Sequence, residues 1–222
     1  LGNVLRNWYE RLLENVVKTR EPASRTYRYM SRLIEKEFDH KAGGVCLAFF
    51  SLDGDKVSSD ALLMLAYCLQ TELGSKVLVV DARVKDSEGG ISNRLGLGAA
   101  RGYADVQREG LNGKHLPVTA SSVPGVDILP AGQITEGSKS GVDIGRLREM
   151  LDVARSQYQH VLVQVSSVLA DTRYMVTVAQ ADAVFVLTLE NKTLMRSLDE
   201  SRKLLRANGV MDPRVVVVGG SE

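Results

Sequence analysis

The chain has 222 residues, room for one large domain or a domain with an extension, with 44% hydrophobic and 25% charged residues and a formal net charge of +1. That balance gives no bias toward polyanions, and 5% aromatic residues leave few stacking platforms, so nucleic acid is not expected as a partner. No apolar run approaches the roughly 20 residues of a membrane helix and no secretory leader is read, so a cytoplasmic protein is expected.

Residues 1–18 place Leu5, Trp8, Leu12, Leu13 and Val16 at helical spacing, with charges on the other face. That stripe either packs on the body or binds a partner, with Trp8 and Leu12 as its candidate contacts. Pro22 then opens a helix to Phe38, with Tyr27, Met30, Leu33, Ile34 and Phe38 expected on one side. Its Arg25, Arg28 and Arg32 form either a solvated face or a surface for an acidic partner. Beyond Gly43-Gly44, strands and helices alternate. A strand over Val45–Ser51 meets a short polar loop with Gly54, then a helix over 60–73 with Ser58, Ser59 or Asp60 as N-cap and Gly74 as C-cap. A strand is predicted over 76–82, one or two helical turns within the Gly-rich 88–113, and a strand over Val126–Leu129. Helices over 143–158, 171–181 and 192–208 then alternate with strands over 160–166, Ala183–Leu189 and Arg214–Val218.

Runs such as VLVV, VLVQV, VFVLTL and VVVV are continuously apolar, which marks parallel strands covered on both faces. Their alternation with helices predicts an α/β fold: a three-layer, doubly wound, mostly parallel sheet of P-loop NTPase type. An N-terminal helical extension, 1–42, precedes the α/β domain, 43–222. Right-handed crossovers gather 51–59, 81–85, 130–140 and 164–171 at one edge, where ligands bind in such sheets. Cys46 and Cys68 read as buried thiols, and the scattered His40, His115 and His160 offer no metal spacing, so no metal is expected.

A strand, a polar loop and a helix N-terminus form the usual seat for phosphate. The order of motifs around it resembles the cytoplasmic kinase domain of bacterial tyrosine kinases (BY-kinases), the capsular and exopolysaccharide chain-length regulators. These belong to a deviant P-loop group that includes division-site and plasmid-partition ATPases. The resemblance covers residue 22 to the end. Arginine-rich PASRTYRYMSRL (Pro22–Leu33) is similar to the family's first helix. In its loop, S-x-x-P-G-E-G-K-S-T, Ser51 matches the first serine, and Leu65-Ala66 match the end of the following N-L-A. Val79-Val80-Asp81-Ala82-Arg83-Val84-Lys85 resembles L-I-D-A-D-L-R. Leu95-Gly96-Leu97, Gly102-Tyr103-Ala104-Asp105-Val106, Leu129-Pro130-Ala131-Gly132 and Gln180-Ala181-Asp182-Ala183-Val184 follow the remaining motifs in order.

The departures fall on the chemistry. In the resemblance's register the loop lysine becomes Ser58, its preceding glycine Val57, the earlier glycine Asp55, and the magnesium-binding Ser/Thr Asp60. The loop's one lysine, Lys56, is read as preceding the helix. The second motif keeps Asp81 but has Arg83 for its partner aspartate, and the Walker B aspartate is Gln164. The oligomerisation motif E-x-x-R-x-x-R retains Arg28 but has Arg25 and Ser31 at its other positions, and no tyrosine follows Tyr174. Phosphoryl transfer relies on positioning and charge neutralisation. Asp55 at 4 Å from a phosphate would oppose it by on the order of 4 kcal/mol at an effective dielectric of about 20. A neutral Gln164 holds magnesium less well than a carboxylate. No catalytic residue and no cofactor is therefore assigned.

The resemblance implies a non-catalytic relative acting in exopolysaccharide biosynthesis or export. It would contact a membrane polysaccharide co-polymerase or export component, at the inner face of the membrane, with homo-oligomers as a further expectation. The competing reading is an active ATP- and Mg2+-dependent tyrosine autokinase or ATPase with a non-standard nucleotide site using Lys56, Asp81 and Lys139. Gly132–Ser140 nearly spells a second P-loop but has one residue too many, and the glycines at 96, 98 and 102 lack the strand–helix context of a dinucleotide fingerprint.

Overall fold

The computed structural model describes residues 22–39, 41–83, 88–111, 113, 115–133 and 141–219. The amphipathic segment with Trp8 and Leu12, His40, Val84, Lys85 and Lys139 lie outside the described residues. The elements run α1 (Pro22–Phe38), β1 (Val45–Ser51), α2 (Asp55–Leu73), β2 (Val77–Asp81), α3 (Ile91–Arg94), α4 (Tyr103–Glu109), β3 (Thr119–Ala120) and β4 (Val126–Leu129). They continue with α5 (Ile144–Gln157), β5 (His160–Gln164), α6 (Tyr174–Val178), β6 (Ala183–Leu189), α7 (Met195–Ala207) and β7 (Arg214–Val218).

The strands form one sheet in the order β3-β4-β2-β5-β1-β6-β7, parallel except for the β3–β4 pair. This is the expected doubly wound α/β architecture. The apolar runs divide by parity. Leu47 and Phe49 of β1 face a core shared with α1 and α2, while Cys46, Ala48 and Phe50 face one shared with α4, α5, α6 and α7. On the first face Phe49 stacks on Phe185 with ring centroids 4.7 Å apart. Burying both faces requires apolar residues at every strand position, which is why β1, β2 and β5 show no alternation. β7 departs from that expectation. Val215 and Val217 are exposed because the strand lies at the sheet's edge.

α1 packs on α2 through Tyr27, Met30 and Ile34, but Leu33, expected on the buried side, is 46% exposed. Gly74 ends α2 in the left-handed conformation predicted for it, at φ 68°. Both cysteines are buried and unbonded to each other. The helices predicted over 171–181 and 192–208 are shorter than expected. Asp171 accepts hydrogen bonds from the Arg173 backbone and guanidinium, and Thr193 is bound to Asp53, so both leading segments are held as turns. The two-residue β3 was not predicted.

Candidate functional site

The site begins where β1 ends. Gly54 adopts φ 103°, ψ 160°, a region open almost only to glycine, and the chain enters α2 at once. The helix therefore starts at Asp55, not at residue 60, and Gly54 holds the cap position expected of Ser58, Ser59 or Asp60. The Ser58 and Ser59 hydroxyls instead donate back to the Asp55 carbonyl, at 3.0 and 2.9 Å, a bond that residues inside a helix make. Lys56 lies in the first turn of α2 and not before the helix, with an exposed side chain. Positions 55–57, which a P-loop would wrap around an anion, are helical here. Asp53 fixes the approach to the turn, accepting from the Leu189 amide at 2.9 Å and from the Thr193 hydroxyl.

Gln164, at the end of β5, reaches this turn. Its Nε2 lies 2.8 Å from both Ser58 Oγ and Ser59 Oγ and 2.9 Å from the Asp55 carbonyl. Its Oε1 accepts from the Ile91 amide at 3.3 Å. Ser59 Oγ also lies 2.6 Å from the Gly89 carbonyl. Ser58, Ser59 and Gln164 are fully buried. A Cβ on Gly89 would sit 2.7 Å from the Lys56 amide nitrogen, so this loop lies directly on the first turn of α2. The P-loop motif places its magnesium hydroxyl directly after the lysine position. That residue is Ser59, which corrects the expectation for Asp60. Asp60 is partly exposed and paired with Arg94 at 2.6 Å.

Beside this cluster the Arg83 guanidinium grips Asp81 with two bonds, Nε to Oδ1 at 2.6 Å and Nη2 to Oδ2 at 2.8 Å. The Ser92 amide and hydroxyl donate to Asp81 Oδ2 at 2.9 and 2.6 Å, and Ser92 Oγ accepts from the Ala131 amide at 2.7 Å. Asp55 completes the arrangement, 3.9 Å from Arg83 Nη1 and accepting from the Ser166 hydroxyl at 2.9 Å. Burial alone would lower the Arg83 pKa, but its hydrogen bonds with Asp81 and the Asp81 and Asp55 charges outweigh that and raise it. Gly90 makes room for the guanidinium: a Cβ there would lie 1.7 Å from Arg83 Cζ.

The ends of β1, β2 and β5 and the first turn of α2 thus place Ser51, Gly54, Asp55, Lys56, Val57, Ser58, Ser59, Asp81, Arg83 and Gln164 at one edge. The edge adds Gly89, Gly90 and Ser92, which the sequence reading passed over as part of a Gly-rich stretch. A glycine pair shortly after a strand that ends in a charged motif was the available signal. Gly102–Gln133 contacts knit the neighbouring loops: the Tyr103 and Ala104 amides donate to Pro130 and Ala131 at 2.7 and 2.8 Å. Asp105 accepts from the Gly102 and Gln133 amides, and these bonds with Arg108 outweigh burial to lower its pKa. Arg25, Arg28 and Arg32 are exposed on α1, where Arg28 and Arg32 each approach Glu72, in the last turn of α2, at 3.4 Å. Among the described residues no group of His, Cys, Asp and Glu is arranged to hold a metal.

No protein-family model and no curated protein matches the sequence. Solved structures match its fold. The chimerical protein CapA2B2 superposes with a TM-score of 0.73 at 16% identity, covering 89% of this chain and 85% of that one. The kinase domain of the Escherichia coli tyrosine kinase ETK gives 0.72 at 17% identity, covering 93% and 79%. The Aquifex aeolicus cell division protein MinD gives 0.58 at 18% identity, covering 78% and 68%.

Proposed function

We propose that this chain, whose fold is BY-kinase-like, is a non-catalytic relative of those kinase domains and works through protein–protein contacts. Its place is exopolysaccharide or capsule biosynthesis or export, beside a membrane polysaccharide co-polymerase or export component at the inner face of the membrane. Among the described residues no helix is long and apolar enough to cross a membrane. Scaffolds of this type serve many functions through sites and surfaces grafted on them.

One observation carries the reading: the positions that would hold phosphate and magnesium bond to one another. Gln164, Ser58 and Ser59 form a buried cluster, and Asp55 and Arg83 pair where an anion would sit. Asp81 has both oxygens engaged by Arg83 and Ser92. A phosphate entering here would have to displace these bonds and meet the Asp55 charge.

Isothermal titration of the full chain with ATP and Mg2+, with an autophosphorylation assay, tests the reading. No heat of binding and no phosphotransfer are expected. Binding tighter than about 10 μM, abolished by Lys56→Ala, overturns the reading of a filled site, and phosphotransfer or ATP hydrolysis overturns the non-catalytic reading in favour of an active kinase or ATPase.

A further inference from the structure

The two edges of the sheet differ. At one, β3 has two residues, runs antiparallel to β4, and offers little backbone to pair. Short edges of this kind are a common guard against association. At the other, β7 runs five residues parallel to β6, and among the described residues no strand pairs with its outer side. Its sequence, RVVVV, has neither the lysine nor the proline that commonly blunts an edge. Its one charge, Arg214 at the first position, pairs with Glu37 and lies over the rings of Phe38 and Phe185, at 5.6 and 5.2 Å, an inward-turned charge that guards only the start of the edge.

Apolar side chains are exposed along and around this strand. Val215 is 37% and Val217 60% exposed. Met211, three residues before the strand, and Leu194 and Met195, where α7 begins, are each about 70% exposed. Complete burial of these five residues in two copies would remove at most about 1,000 Å² of surface, the area that a specific interface should clear.

We propose that β7 pairs antiparallel with β7 of a second copy about a two-fold axis, making one continuous sheet across the dimer. A second copy satisfies the edge because the surface is self-complementary: the same strand supplies unpaired donors and acceptors on both sides. Antiparallel pairing also sets Arg214 of each chain near Val218 of the other, so like charges are not opposed. The inference stands apart from the nucleotide-site reading.

Sedimentation equilibrium of the full chain tests it. A dimer is expected at tens of micromolar, with about a tenfold or greater weakening by Val217→Lys and by Val215→Lys/Val217→Lys at unchanged circular dichroism. Hydrogen exchange on the unsubstituted chain gives a second readout, since protection of the 214–218 amides should rise with concentration. A monomer at about 100 μM overturns the proposal, as does a dimer indifferent to both variants. A monomer in which the 214–218 amides that do not bond β6 exchange slowly at every concentration also overturns it, by showing that another segment of the same chain covers the edge.

Discussion

Arg83 is the side chain around which the polar cluster at this edge is built. Fully buried, it neutralises Asp81 directly and faces Asp55. Removing one partner of a buried pair leaves the other uncompensated, at about 3–5 kcal/mol. Arg83→Met is expected to lose about that much stability in urea unfolding, and a loss below about 1 kcal/mol would mean that water reaches Asp81 freely. His160 tests a different charge. It opens β5, its side chain is 4% exposed, Nε2 lies 3.5 Å from Glu35, and Nδ1 has no partner among the described residues. Burial lowers its pKa to about 4. The unfolded imidazole titrates near 6.5, so below that pH the unfolded chain binds a proton that the folded chain does not. Stability should therefore fall as pH drops from about 6.5 to about 4, by about 3 kcal/mol in full, with no effect above that window. His160→Gln should flatten this slope in urea titrations at several pH values. Equal slopes for the two proteins would contradict it.

Helix and strand identity was legible wherever periodicity or an apolar run extended over several residues. β1, β4, β6 and β7 occupy their predicted bounds, and α1 ends where expected. Boundaries set by a single unusual residue were not legible. Nothing in the pattern distinguishes Gly54 as a helix cap from Gly54 as a loop glycine, yet its φ of 103° lets α2 start five residues early. That backbone conformation is essentially glycine's own. Gly54→Ala would meet no clash, since nothing lies within 4 Å of its Cβ, so its effect isolates backbone strain. A loss of about 1–3 kcal/mol is expected in thermal or urea unfolding. No loss would mean that the turn readily adopts another shape. The site was legible in part for the same reason. Gln164, Arg83 and Ser58 were visible as departures at motif positions, whereas Gly89 was marked only by its glycine pair and Ser92 by nothing local, because both enter through contacts across the fold.

At the scale of the whole molecule, crossover handedness implied that the loops after the strands share one edge, and the observed strand order places the ends of β1, β2 and β5 side by side there. The bonds that fill the edge between them span long stretches of chain. Gln164 meets Ser59, Ser58 and the Asp55 carbonyl across 105, 106 and 109 residues, and Ser166 meets Asp55 across 111. Closing loops of that size costs chain entropy before any of these bonds forms. The polar cluster therefore cannot be complete until β5 lies beside β1. A nascent chain that has emerged only through α2 carries a half-built turn whose serines, aspartate and glycine still await the second half of the protein.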